Sequence, residues 1–362
     1  METPRQRFLA YVRDPKGARP VVSPFLPHPK VVRDTLAYLG LPIGDDDVQN
    51  EITLAGALDY EPMFMTDMPG LLFPWQVDES RSDENFETSV IATPKGEWVR
   101  RVPRRQVLWS HESGLPVQTE ADHEKLVLVC EQVGEREDEF RQYFRDWRQR
   151  VGEEGVIVIG HPHPSWLAYQ ISPQLIFYHW QDYQVAFRRS MEAIYEASLF
   201  VMAIAMEEGI DFMSDSSYGL EMTSLKLFEV MDLPYIQAFA NWTHERGGLF
   251  WYHNCGKTRQ LILNGTFNRL GADVIETIAP PPEGDNDLAE SRRHLSPGIC
   301  TKGNIELTFL RDATPEQVAE EVCRMVKAVR GYPHIYSTAD AVLPDTPPEN
   351  FIAFVNTARQ YS

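Results

Sequence analysis

His253 and Cys255, separated by one residue, carry the most specific chemistry in this chain. They close a short apolar run, Gly248 to Tyr252, and Gly256 then opens a helix-like stretch from Lys257 to Leu270. The run reads as a buried strand and the glycine as the turn into its helix. In an extended segment, residues i and i+2 point to the same side, so His253 and Cys255 face one point in space and Asn254 turns away. Imidazole nitrogen and thiolate sulfur are the donors that a borderline-soft ion such as Zn2+ selects. Two donors do not complete a site, and a packed histidine beside a buried cysteine satisfies the same pattern.

The neighbouring strands supply further candidates. A second short strand, Leu270 to Thr277, has Glu276 at its C-terminal end. A third, from Gly298, leads into Lys302, Gly303 and Asn304, and a fourth, His334 to Thr338, ends at Asp340 ahead of a turn from Pro344 to Pro348. Upstream, Gly155 to Gly160 is a continuous apolar run that ends in His161 and His163, and Ile210 to Met213 ends at Asp215. Polar groups thus collect just past strand ends, where parallel α/β barrels build their sites. His161, His163 and Asp215 are candidate catalytic residues that orient a substrate, although a strand-end histidine also serves as a purely structural group.

Stepping along the whole chain, apolar runs consistent with strands fall at 19–25, 58–65, 155–160, 210–214, 248–253, 273–277, 298–301 and 334–338. They mostly alternate with helical patterns, which predicts a (β/α)8 TIM barrel over a doubly wound sheet. Thr3 followed by Pro4 is an N-cap and first-turn signal for an N-terminal helical extension. Residues 70–118 break the alternation. Thr88 to Val102 reads as a β-hairpin turning near Pro94 to Gly96, with Val107 to Trp109 extending it. The hairpin is expected to cover one end of the barrel. Ala121 to Val151 and Ser224 to Glu245 read as helical.

The chain has 362 residues, enough for one embellished barrel spanning 1–362. A net charge of −19 disfavours nucleic acid and anionic membrane as partners, since both need basic patches. No run approaches the ~20 apolar residues of a membrane span. The N-terminus lacks the apolar core of a signal peptide, and the four cysteines at 130, 255, 300 and 323 contain no CxxC pair, which suggests a reducing, cytoplasmic setting. Cys130 and Cys323 sit in helical patterns that suit core packing. Neither GxGxxG after the first strand nor GxxxxGK[ST] is present, so nucleotide binding has no support.

Taken in order, Tyr252 to Lys257, Leu270 to Glu276, Lys302 to Asn304 and Asp345 to Asn350 resemble the uroporphyrinogen decarboxylase superfamily, as does the opening Thr3 to Leu9. The resemblance implies a TIM barrel and one of two chemistries. The metal-free decarboxylases, a carboxy-lyase alternative, use an arginine-rich segment after the first strand and a central aspartate. Here that exit reads Ser23 to Pro29 without an arginine. The zinc-dependent methyltransferases of corrinoid systems carry His-x-Cys at the fifth strand, as this chain does. The related zinc site of cobalamin-independent methionine synthase adds a Glu at the next strand end and a Cys at the last.

By that resemblance His253, Cys255 and Glu276 are metal ligands, and Asp340 stands where the last Cys would be. Asp340 then either ligates directly or orients His253; a turn aspartate bonding its own backbone is the plainer alternative. Cys300 is a rival fourth ligand placed deeper in the barrel. The implied enzyme is a methyltransferase that moves a methyl group from a methyl-corrinoid, held on a partner corrinoid protein, to a small thiol at a Zn2+ centre. A non-catalytic binding protein on the same fold is the third class left open.

Overall fold

The computed structural model describes residues 2–104, 116–160, 167, 171, 176–217, 219–221 and 223–361. His161 and His163, and the Val107 to Trp109 extension, lie outside the described residues.

Seven parallel strands form one curled sheet: β1 Met63–Met65, β5 Val156–Val158, β6 Phe212–Ser217, β7 Leu249–Asn254, β8 Val274–Glu276, β9 Cys300–Ile305 and β10 His334–Thr338, adjacent in that order. Val156, Ile157 and Val158 are all buried, as a strand covered on both faces must be. The two edges of the sheet are joined through residues 21–23. Val22 bridges Tyr336 in parallel, Ser23 N–H donates to the Tyr336 carbonyl and Tyr336 N–H to the Val21 carbonyl, both at 2.9 Å. On the other side Glu61 N–H donates to the Val22 carbonyl, also at 2.9 Å. The expected first strand, 19–25, is therefore present as the eighth stave but reduced to a bridge. Pro20 and Pro24 flank it and have no N–H to give to a ladder. The result is a (β/α)8 barrel.

The barrel interior and its outer wall are packed separately. Val21, Met63, Val156, Val158, Phe212, Leu249, Trp251, Val274, Cys300 and Ile335 form one buried cluster together with Phe8 and Tyr11. Those last two come from the helix Pro4–Arg13, which starts at a capping box between Thr3 and Gln6 with proline in its first turn. Arg5 of this helix pairs with Glu153 at 2.7 Å and Asp211 at 2.8 Å, residues that immediately precede β5 and β6. Tyr11 Oη donates to the carbonyl of His334, the first residue of β10. The N-terminal extension thus plugs the N-terminal end of the barrel, leaving its C-terminal end as the mouth.

The expected hairpin is β3 Phe86–Ile91 paired antiparallel with β4 Trp98–Pro103, and a short β2 Gln76–Val77 adds a third strand. It enters the chain between β1 and β5. Trp98 packs on Trp75 and Phe73 and donates its indole N–H to the Pro116 carbonyl at 2.6 Å, just ahead of the helix Glu120–Glu131.

Three helical stretches are more broken than their patterns suggest. The 121–151 segment divides into Glu120–Glu131 and Glu137–Val151 around a 3-10 turn that contains Gly134. The 257–270 segment is a five-residue helix, Arg259–Leu263, followed by a 3-10 turn after Gly265, whose φ of +82° no helix accommodates. In the 224–245 segment a π-helical turn, Phe228–Asp232, precedes the helix Leu233–His244. Pro234 lacks the N–H that a regular α-helical bond back to Val230 needs.

Glu51, on the helix Asp47–Leu58, is buried, and its Oε1 has no hydrogen-bond partner among the described residues. Burial pushes its carboxyl well above the ordinary value. The folded state therefore holds the proton more tightly than the unfolded chain, and stability is lost as pH rises through the folded pKa. Glu51→Gln is expected to leave stability at pH 4 nearly unchanged and to raise it at pH 8 by on the order of 1–3 kcal/mol. Urea midpoints at the two pH values measure this; an equal shift at both would contradict it.

Candidate metal centre

Strand alternation aims Trp251 and His253 into the barrel from β7, with Cys255 next on the same side, one residue past the strand's end. Cys255 N–H donates to the Ser217 carbonyl at 3.0 Å, so the backbone still runs alongside β6 there. Gly256, at φ +70°, then turns the chain away. The register places His253 opposite Glu276 on β8, and Glu276 opposite Lys302 on β9. In-register neighbours in a parallel sheet share a face, so these three side chains form one inward-pointing row at the mouth. Gly303 permits the close approach of β9: a Cβ there would lie 2.2 Å from the Thr277 carbonyl oxygen.

His253 Nε2 lies 3.0 Å from Cys255 Sγ. Asp340 Oδ2 lies 3.4 Å from that sulfur and 3.9 Å from Nε2. Bond lengths to zinc with tetrahedral angles require ligand atoms about 3.4–3.6 Å apart. The three donors, one nitrogen, one sulfur and one oxygen, thus fit a zinc-like ion after shifts of about half an ångström. The His253 and Asp340 side chains are 12% and 17% exposed, so the cluster is reachable from the mouth. The other Asp340 oxygen, Oδ1, accepts the Ala341 N–H at 2.7 Å, and Thr338 Oγ1 donates to the Asp340 carbonyl at 2.6 Å. Asp340 therefore makes the turn contact expected of a strand-end aspartate and also presents an oxygen to the cluster.

Glu276 stands apart from these donors. Its Oε2 accepts from the Trp251 indole N–H and faces His253 Nδ1, each at 3.0 Å, and its Oε1 is ion-paired with Lys302. Both oxygens are committed, and they lie beyond the imidazole ring from Cys255. Glu276 was expected as a ligand; here its carboxylate faces His253 Nδ1, whereas Asp340 faces Nε2, so the converging donors are His253, Cys255 and Asp340.

The electrostatics agree with this division. Burial alone would raise the Glu276 carboxyl, but Lys302 and His253 hold it well below the ordinary carboxylate range. Burial would lower His253, yet Cys255, Glu276 and Asp340 outweigh it and raise the imidazole well above its usual value. Burial pushes the Cys255 thiol up, with His253 opposing and Asp340 reinforcing the shift.

The remaining candidates lie elsewhere. Asp215 pairs in register with Tyr252 and shares its outward face, buried under the helices rather than aimed at the mouth. Burial and the nearby Asp232 raise its carboxyl well above normal. Cys300 lies in the barrel interior among Trp251 and Val274, its thiol pushed up to about 12 by burial, and is no part of the cluster, in keeping with its deeper placement. Cys130 is buried on its helix, and Cys323 is half-buried against the Tyr361 hydroxyl. Lys302 and Trp251 were read only as parts of a strand-end motif and an apolar run, without a role in the site. Alternation from inward-facing Cys300 would have pointed Lys302 into the barrel, where a buried ammonium needs a carboxylate.

A closed parallel barrel with a histidine, a cysteine and a carboxylate converging at its mouth defines a TIM-barrel protein with a candidate metal centre. The chain belongs to the uroporphyrinogen decarboxylase (URO-D) family, whose model matches residues 141–361. It is 31% identical over 103 residues to the uroporphyrinogen decarboxylase of Serratia proteamaculans (strain 568), covering 26% of this chain and 29% of that protein. With the enzyme of the same description from Chlorobaculum parvum (strain DSM 263 / NCIMB 8327) it shares 28% identity over 108 residues, 28% of this chain and 30% of the other. These matches span less than a third of the relatives' length. Over the whole chain the fold is similar to that of a methyltransferase from Methanosarcina mazei, with a TM-score of 0.65, 14% identity, and coverage of 100% of this chain and 99% of that one.

Cys255→Ala is expected to abolish most zinc binding while leaving the thermal midpoint within a few degrees of wild type, because the stability of the barrel resides in its packed staves. Metal analysis after dialysis, alongside a melting curve, checks both halves. Zinc affinity in the wild type is expected to fall between pH 8 and pH 6, since the raised Cys255 and His253 bind protons that the ion must displace.

Proposed function

We propose that this chain is a zinc-dependent methyltransferase that passes a methyl group from a methyl-corrinoid, carried by a partner protein, to a small thiol. The observation that carries the reading is the convergence of His253 Nε2, Cys255 Sγ and Asp340 Oδ2 at the barrel mouth, with the far side of the imidazole held by Glu276. The wider similarity to a methyltransferase fold is consistent with it. When bound, the ion supplies Lewis acidity that keeps an incoming thiol deprotonated at neutral pH.

The chain's own residues prepare that position. Donating its Nδ1 proton to Glu276 leaves His253 with its Nε2 lone pair directed toward Cys255 and Asp340. Cys255, as a thiolate, would be the softest of the donors that hold the ion. Asp340 sits at the rim with one oxygen tied to its own turn, so it is the donor best placed to yield to a substrate atom. Phe25, edge-on to the His253 ring at 6.5 Å between centroids, limits water on that side. In the transfer itself the carbon–cobalt bond breaks, its electron pair stays with the corrinoid, and a carbon–sulfur bond forms on the thiolate.

The carboxy-lyase alternative is favoured by the family match and by the decarboxylase relatives. A substrate bearing several carboxylates needs a basic cradle. Residues 23–29 after the first stave contain no arginine, and the inward-facing Lys302 is already committed to Glu276.

Purified protein loaded with zinc is expected to demethylate free methylcobalamin in the presence of a thiol, followed by the change in corrinoid absorbance. Equal rates with and without zinc, or decarboxylation of uroporphyrinogen in its place, would refute the proposal. Asp340→Cys separates the roles of that residue. It should bind zinc at least as tightly and change the turnover rate; unaltered affinity and turnover would make Asp340 a turn residue only.

A further inference from the structure

Lys302 is ion-paired with Glu276 behind the imidazole, and the proposed chemistry makes no direct use of it. Its side chain is nonetheless completely buried, as is that of its partner Glu276. An ammonium is not placed in a barrel interior cheaply, because desolvation costs several kcal/mol per ion unless the partner geometry compensates. The surroundings of Lys302 are built for the charge. Besides the Glu276 carboxylate, its Nζ lies 5.7 Å from the centroid of the Phe25 ring and 5.8 Å from that of Trp251. Both distances suit a cation–π contact. The same two aromatic residues reach the rest of the centre: Phe25 packs edge-on to His253, and Trp251 donates to Glu276 Oε2. Lys302, Glu276 and His253 lie in register on three successive strands.

We infer that Lys302 is a positioning residue of the metal centre: it pins Glu276 against the back of the His253 ring and so fixes which imidazole nitrogen faces Cys255 and Asp340. The inference rests on the reading of His253, Cys255 and Asp340 as that centre. Its physical basis is the division of labour between the two Glu276 oxygens. Lys302 occupies Oε1, which leaves Oε2 to take the indole N–H and the imidazole N–H. Without the ammonium, Glu276 is a buried carboxylate with a free oxygen. The ion pair then no longer holds the carboxylate against the ring, and His253 loses its fixed orientation.

The test is a double-mutant cycle on zinc affinity, measured by competition with a chromophoric chelator, with Co2+ substitution to read the ligand set by visible absorption. Glu276→Gln and Lys302→Met are each expected to weaken zinc by ~10-fold or more, the usual effect of losing a carboxylate that supports a histidine ligand. Because Lys302 acts only through Glu276, the double variant Lys302→Met/Glu276→Gln should bind zinc no more weakly than Glu276→Gln alone. The double variant carries no uncompensated buried charge, so its melting temperature should recover toward wild type while its zinc affinity does not. It also covers the case in which Lys302→Met alone fails to fold. Wild-type zinc affinity and an unchanged Co2+ spectrum in Lys302→Met, or strictly additive losses in the cycle, would overturn the inference and leave Lys302 a structural ion pair. A wild-type protein that binds no zinc would overturn the site reading itself, a result distinguishable because it precedes any variant.

Discussion

A carboxylate shut away from water has to be saturated by donors, and the mouth of this barrel is arranged around one that is. Glu276 receives Lys302 on one oxygen and Trp251 and His253 on the other. Removing one partner of such a buried pair costs about 3–5 kcal/mol, because a bare charge is left behind. That penalty makes the arrangement stiff. The stiffness is passed to His253, whose ring is fixed at one nitrogen so that the other can face Cys255 and Asp340.

The barrel supplies the frame for this row of side chains. Three strands in parallel register bring residues 253, 276 and 302 side by side, and the spacing between staves lets neighbouring side chains touch. At the opposite end the helix Pro4–Arg13 seals the interior with Phe8 and Tyr11 and is tied down by Arg5. The C-terminal end is left as the mouth, where His253, Cys255 and Asp340 lie. The inserted three-stranded sheet is anchored through Trp98, Trp75 and Phe73, and Trp98 also reaches the Pro116 carbonyl just ahead of Glu120–Glu131.

Family and fold leave two chemistries in view, and each asks something different of the barrel mouth. Decarboxylation of a substrate rich in carboxylates calls for unpaired cations at the mouth. A thiolate-generating centre calls for soft and borderline donors with a position left for substrate. The nitrogen, sulfur and oxygen cluster matches the second requirement, and the pairing of Lys302 with Glu276 withdraws from the first the cation that faces inward on β9.

Much of this protein was legible in its residues alone. Alternating apolar runs and helical patterns gave the eight staves, because strand and helix periodicities are local properties of the chain. The i, i+2 spacing put His253 and Cys255 on one side for the same reason, and the position of Asp340 just past a strand end was enough to bring it to the mouth. Other features depended on what lies across space. Whether residues 19–25 form a strand was decided by two prolines and by the edges they had to join. Asp215, a plausible site residue by position, fell on the outer face because the strand register with β7 set its direction. Glu276 lies outside the cluster of His253, Cys255 and Asp340, with Lys302, 26 residues further along, on its Oε1. The sequence names a carboxylate and a lysine. Only packing three strands side by side determines that they meet, and that meeting decides which atoms remain for a metal.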